Sequence, residues 1–357
     1  MTKAAELAKM GEVLTNSQIG GRRNIIINGA MQVAQRATSS TGIGGSSGYF
    51  TCDRWHMSPS GTAGRLTMTQ DSSAPSGFAN SIKLDCTTAD TSIASSEFLL
   101  FTHKFEGQDV QSFAKGTSDA KQFSLSFYVK GNASATYVAE LRDEDNSNRH
   151  VNKSFSVTTD WTRVELLFPA DTTGTLDDDN ALSFSLNIWL HAGSDFTSGS
   201  LQTTWGALSQ TSRAVGISSF FSITDNTFFI TGVQLEVGNQ ATPFEHRSFG
   251  EELKLCERYF KKIEVGNNTR ISTSAFADTT TRARFVIHHD PEMRQAPTLT
   301  EVNVDLDGQD LSAIATAGSN DLSEAIITRS SGSHSVNDII QVHTSSNTAT
   351  LDFDSEL

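Results

Sequence analysis

The chain has 357 residues, 37% of them hydrophobic, which suffices for about two or three domains with cores of their own. Its formal net charge of -14 and sequence pI near 5.0, with Lys and Arg scattered along the chain, exclude a basic face that tracks phosphates, so nucleic acid is not an expected partner. Cys52, Cys86 and Cys256 are odd in number and far apart, which gives neither a disulfide framework nor a CxxC metal pair and suits folding in a reducing cytoplasm. No signal peptide and no membrane insertion are expected, because no run approaches the roughly 18 apolar residues of a spanning helix.

The opening TKAAELAKMGEVL, residues 2–14, has apolar residues at helical spacing, and Leu7, Met10 and Leu14 are its candidate contacts. Residues 1–21 are therefore read as an attachment or oligomerisation segment, with a frayed terminus as the other reading. From Asn24 the period changes to two. NIIINGAMQVAQR is expected to begin with a strand, SSTGIGGSSGYF to be a glycine- and serine-rich loop, and TCDRWHM to form another strand. The loop is not a dinucleotide-binding motif, since Ser47 stands at the third glycine position and no helical pattern follows.

Short strands then recur with Gly, Ser, Asn and Asp turns between them, including KQFSLSFYVKG, ATYVAELRDE, WTRVELLFP, LSFSLNIWLHAG and NTFFITGVQLEVG. That pattern predicts a mainly β protein whose residues 22–247 form an antiparallel β-sandwich of the jelly-roll kind. Alternation places Phe123, Leu125, Phe127 and Val129 inside and Ser124, Ser126 and Tyr128 outside. In the same way Phe184, Leu186, Ile188 and Leu190 face in, while Ser185, Asn187, Trp189 and His191 face out. After Pro243, Ser248 and Glu251 make the S-x-x-E capping box of a short helix, read over residues 248–262 as a junction. Residues 263–357 alternate again and predict a second small β-domain.

Several blocks together carry a resemblance. NIIINGAMQVAQR with DRW, then QLEVGNQATPFEHRSFGEELKLCERYF, and PEMRQAPTLT are similar to recurring blocks of tail-fibre and related virion structural proteins of tailed bacteriophages. The resemblance implies a jelly roll like that of carbohydrate-binding modules in a homotrimeric virion appendage. Such a protein is assembled in the host cytoplasm, contacts other virion proteins through its N-terminal segment, and meets host cell-surface polysaccharide.

No catalytic residues, cofactor or metal site are expected. RDEDNSN (142–148) and LDDDNA (176–181) read as solvated turns, without the spacing of a calcium loop or a defined pair of glycosidase carboxylates. His288 and His289 point to opposite faces of a strand and cannot share a metal ion. Sugar recognition needs aromatic faces beside amide, carboxylate and guanidinium groups. Tyr128, Glu140, Arg142, Asn187, Trp189 and His191 are the candidates expected on outward sheet positions. Burial in a subunit interface or beneath a loop is the competing reading for them. Trp205 is a loop residue that either recognises a ligand or plugs the sandwich end; Trp55 and Trp161 are expected in the core. A purely structural virion component is the rival function, and a polysaccharide depolymerase is disfavoured by the lack of a long repeat.

Overall fold

The computed structural model describes Lys3 and residues 23–145, 148–265, 270–306, 308–344 and 349–357. Leu7, Met10 and Leu14, with nearly all of the expected N-terminal helix, lie outside the described residues. Two compact units are present, Met1–Ser248 and Phe249–Leu357.

In the first unit the strands are β1 (Ser39–Ile43), β2 (Gly48–Tyr49), β3 (His56–Ser60), β4 (Arg65–Asp71), β5 (Ser81–Thr88) and β6 (Phe98–Glu106). They continue as β7 (Phe123–Gly131), β8 (Ala135–Asp143), β9 (Arg149–Val157), β10 (Thr162–Phe168) and β11 (Leu182–Ala192). A short helix α1 (Ser194–Thr197), β12 (Gly206–Ala207) and β13 (Thr227–Val237) complete it. The strands form two antiparallel sheets, β1-β4-β5-β13-β7-β10 and β12-β9-β8-β11-β6-β3-β2, the β-sandwich predicted. Phe123, Leu125 and Phe127 of one sheet and Phe184, Leu186 and Ile188 of the other are buried in a single core, as their alternation requires. Trp55 belongs to that core, stacked on Phe101 at 4.7 Å.

Two local expectations change. The glycine-rich run is not wholly loop: Ser39–Ile43 pairs with β4 as an edge strand. A register shift between Ser40 and Ile43 takes up Gly42, whose φ of 73° a larger residue would adopt only with strain. Conversely, Asn24–Ile27 and Thr51–Arg54 are not ladder strands. The Asn24 side chain replaces the backbone partner there: its Oδ1 accepts from Leu235 N (3.1 Å) and Ile26 N (3.0 Å), and its Nδ2 donates to Val233 O (3.1 Å).

These irregular segments explain why the recognisable blocks occur together. Asn28, at φ 58°, accepts from Gln32 N and Val33 N and donates to the carbonyls of Val33 (2.7 Å) and Asp53 (3.0 Å). The Trp55 indole donates to Asn28 O at 3.1 Å, and Glu245 accepts from Arg23 N and Asn24 N. Arg247 donates to the carbonyls of Asn24 and Ile26. Blocks far apart in sequence thus close one clasp inside the first unit. Replacing Asn28 by Ala is expected to cost about 3 kcal/mol, from lost buried hydrogen bonds and an unfavourable positive φ. Asn28→Gly should recover only the backbone part, about 1 kcal/mol; urea denaturation of both variants measures the difference.

The second unit opens with helix α2 (Phe249–Glu257), in which Glu252 and Cys256 are buried. It ends before the expected boundary at residue 262, because Phe260–Val265 is strand β14 and pairs with β22 (Ala349–Asp354). Between them lie β15 (Arg270–Ala277), β16 (Arg282–His288), β17 (Thr298–Val302), β18 (Val304–Leu306), β19 (Gln309–Gly318), β20 (Leu322–Arg329) and β21 (Ile339–Thr344). β14, β22 and β17 form one sheet, and β15-β16-β20-β19-β18-β21 close into a small barrel around Phe285, Leu306, Ile327 and Val342. Closure leaves the barrel strands without free edges.

Candidate functional site

The outward face of the second sheet carries a polar rung across four strands. Thr102 on β6 is register partner of Asn187 on β11, Asn187 of Glu140 on β8, and Glu140 of Asn152 on β9. Asn187 accepts from Thr102 Oγ1 (2.9 Å) and donates to Glu140 Oε2 (3.2 Å). Trp189 Nε1 donates to the same oxygen at 3.2 Å. Glu140, Asn187 and Trp189, each expected at an outward sheet position, are brought together by the cross-strand register.

They do not face solvent, and here the expectation is corrected. Glu140 and Trp189 are 0% exposed and Asn187 3%. Arg213, from the segment after β12, lies across the face. Its Nε and Nη2 donate to the two Glu140 oxygens at 2.8 and 2.7 Å, and its guanidinium carbon stands 4.6 Å from the Trp189 ring centroid. His150 Nδ1 is 3.1 Å from Glu140 Oε1. Backbone bonds fasten the cover: Asn152 N donates to Gln202 O, Ala214 N to Phe196 O and Ser218 N to Thr136 O. Phe196 and Ala214 pack with Trp189, Leu100 and Val138 as a small apolar cluster beneath it. Burial alone raises the Glu140 carboxyl, but the Arg213 charge and the hydrogen bonds from Arg213 and His150 more than offset this and hold it at about 2. The result is a carboxylate held in its ionised form by a bidentate arginine, an arrangement that fastens a loop and leaves no room for a sugar.

The remaining candidates separate. Arg142 is occupied by the β8–β9 turn, donating to Asn148 Oδ1 at 3.0 and 3.2 Å and pairing with Glu144 at 3.1 Å. His191, fully buried, lies beside Glu97 and Phe221 and is hydrogen-bonded to Ser219 at 2.8 Å. Trp205 is half-buried against the main core, donates to Pro169 O at 2.8 Å and has Lys115 over its ring. Of the acidic turns, Asp143 is buried and pairs with Lys115 at 2.7 Å, while Asp145 accepts from Asp177 N across to the other turn. His289 is buried against Phe353 and Ser323; His288 is exposed.

Tyr128 is partly buried on the outward face of the first sheet, with the Phe78 ring 5.4 Å from its own. Part of that face is covered: Gln234 and Glu236 are buried by the 238–247 segment, through bonds from Thr242 N to Glu236 (2.8 Å) and from Glu245 N to Gln234 (2.8 Å). Beyond it, Lys83, Phe229 and Lys130 form one rung of β5, β13 and β7, and Arg163, Tyr128 and Thr231 form another. Lys130 Nζ sits 4.6 Å from the Phe229 centroid and 5.3 Å from that of Trp161, and Lys83 lies over Phe229 at 5.9 Å. Trp161, expected in the core, is half-exposed at the start of β10 and meets Phe229 edge-on at 6.1 Å. A β-bulge carries Gly232 at φ 62° beneath Tyr128 and Phe78, where an added Cβ would come within 2.6 Å of the Phe78 ring. Phe229 and Lys130 were legible as outward positions from alternation. What linear reading lacked was the cross-strand register that gathers Trp161, Phe229 and Tyr128 with three cations on an acidic chain.

Fold and site together define a class: a jelly-roll β-sandwich with one outer sheet face closed by its own loop and the other partly covered and aromatic, its Lys83 and Arg163 ion-paired with Asp85 and Glu165. No family model matches the chain, and no curated protein does. Solved structures similar to it include the enzymatically active domain of bacteriophage CBA120 tailspike protein 4, at 16% identity and a TM-score of 0.33 over 60% of this chain. The chain spans only 21% of that tailspike chain. A CBM4 module is similar at 10% identity and a TM-score of 0.32, over 59% of this chain and 98% of the module. A family 11 carbohydrate-binding module of a cellulosomal cellulase of Clostridium thermocellum is similar at 13% identity and a TM-score of 0.29, over 53% of this chain and 91% of that one. Likeness this remote transfers no function from one chain to another.

Proposed function

We propose that this protein is a non-enzymatic component of a tailed-phage appendage, of the tail-fibre kind, whose sandwich unit binds host-surface glycan on the outward face of its first sheet. The observation that carries the reading is the half-exposed group of Trp161, Phe229 and Tyr128 flanked by Lys83, Lys130 and Arg163. Aromatic rings supply faces for the apolar C–H patches of a sugar, and the mixed polar rim of Lys130 with the ion-paired Lys83 and Arg163 supplies donors and acceptors for its hydroxyls. The virion assignment is supported by the sequence blocks that resemble phage structural proteins, of which those around Asn24–Arg54 and Glu245–Arg247 meet in one clasp. Assembly as a homotrimer in the virion would multiply a shallow site into useful avidity.

Glycan-array binding of the purified protein tests the reading. Trp161→Ala and Phe229→Ala are each expected to weaken binding about tenfold, near 1.4 kcal/mol, with stability little changed. Retention of full affinity in both variants, or no binding of host polysaccharide by the unmodified protein, would sink it. A second reading, a structural virion part without glycan binding, is favoured by one observation: Phe276 and Ile339, register partners on the barrel, are 45% and 75% exposed. An apolar pair of this kind suits contact with protein.

A further inference from the structure

The side chains of Asp90, Glu97 and His191 converge within the first unit, each offering a ligand atom within 4.8 Å of the other two. All three are buried: Asp90 and Glu97 flank the β5–β6 connection, and His191 stands near the end of β11. Two of the facing atoms have no hydrogen-bond partner, namely Glu97 Oε2 and His191 Nε2. They lie 3.6 Å apart, too long for a hydrogen bond between them. Leaving a buried carboxylate oxygen and a ring nitrogen in that state costs about 1–3 kcal/mol for each. Two ligands of one zinc-class ion, with bonds of about 2.0–2.2 Å, stand roughly 3–3.6 Å apart, so the separation fits an ion between them.

From this geometry we propose that Asp90, Glu97 and His191 bind one divalent transition-metal ion, with Zn2+ as the representative species. Imidazole nitrogen with two carboxylates favours such an ion over Ca2+ or Mg2+, which prefer all-oxygen surroundings. The surroundings hold the ligands in place as metal sites require. Asp90 Oδ2 accepts from Thr62 Oγ1 and Ala63 N, both at 2.7 Å. Asp90 Oδ1 accepts from Ser92 N at 3.3 Å. His191 Nδ1 is 2.8 Å from Ser219 Oγ; with the ring proton on Nδ1 donated to that hydroxyl, Nε2 keeps its lone pair toward Glu97. Residues 91–96 between Asp90 and Glu97 are exposed, so solvent reaches the connection that carries two of the ligands. The bound ion would brace this connection against β11, a structural brace at one place in the sandwich.

The test uses the whole protein, freed of metal by dialysis against a chelator and titrated calorimetrically with Zn2+, and with Co2+ while following its visible absorption. One ion per chain is expected, with a rise in thermal midpoint, and Glu97→Gln should weaken binding at least tenfold while leaving the near-ultraviolet dichroism unchanged. No stoichiometric Zn2+ or Co2+ binding by the unmodified protein overturns the proposal. So does equal binding by Glu97→Gln, because a site built from surface histidines such as His288 would survive that change. Should Glu97→Gln fail to fold, anomalous scattering from zinc-soaked crystals of the unmodified protein decides. A peak within bonding distance of His191 Nε2, about 2.1 Å, supports the site, and peaks elsewhere or none overturn it.

Discussion

Arg213→Met is expected to destabilise the protein by about 3–5 kcal/mol, and Glu140→Leu by a similar amount, since each leaves a buried partner charge uncompensated. Glu140 is fully buried and both of its oxygens are engaged by Arg213, with Trp189, Asn187 and His150 around them. Removing the guanidinium strands an anion, and removing the carboxylate strands a cation and an indole N–H. The two losses should not add. The double change Glu140→Leu with Arg213→Met removes both charges, and its stability should lie well above the sum of the single effects, because well-packed apolar replacements of a buried pair are near neutral. Urea midpoints of the four proteins give the coupling energy. Additive losses would mean that the pair is not the fastener of the loop. Trp189→Ala belongs to the same set: it removes an indole donor and the ring beneath Arg213, so lost glycan binding in that variant would report unfolding of the cover and not a vanished sugar contact.

That network also shows where linear reading stops. Period-two alternation identified the core faces of β7 and β11 and the shared face of Asn187, Trp189 and Glu140, because it rests on the local pleat. It gives no information on what lies above an outward face. The cover comes from residues 193–222, a polar stretch without strand pattern, and its anchor Arg213 has no local signal that separates it from a solvated arginine. The same gap placed Trp161 in the core: it precedes β10 by one residue, where the strand period no longer says which way a side chain points. The clasp was visible for a different reason. Asn24, Asn28, Trp55, Glu245 and Arg247 act through fixed hydrogen-bond geometry, which demands particular side chains and so leaves recognisable blocks, whereas the sandwich strands accept any residues of suitable shape and alternation. The stretch after Pro243 read as a junction because its capping box is local; that the preceding Thr242 and Glu245 lie over β13 required the tertiary structure.

Two buried groups should make stability fall in acid, and Arg213→Met should alter only the contribution of Glu140. Burial and the Lys104 charge push the His56 imidazole down to about 3, so the folded state stays neutral there while the unfolded chain takes up a proton near pH 6.5. Stability from that group is complete above pH 6.5 and falls as the pH drops from there toward 3. Glu140, held at about 2 against an ordinary 4.5, contributes stability that is complete above about pH 4.5 and is lost between there and 2. Without Arg213, desolvation becomes the governing influence on Glu140 and raises its carboxyl above the unfolded value. Its contribution then reverses sign: protonation relieves the buried charge, so the stabilising form is the one present at low pH and is lost as the pH rises. The gap between Arg213→Met and the unmodified protein should therefore be widest at pH 7 and narrow steadily by pH 4, when urea midpoints are compared at pH 4, 5.5 and 7. Parallel curves across that range would show that Glu140 does not depend on Arg213 for its charge, and the loop would have to be fastened by its backbone bonds alone.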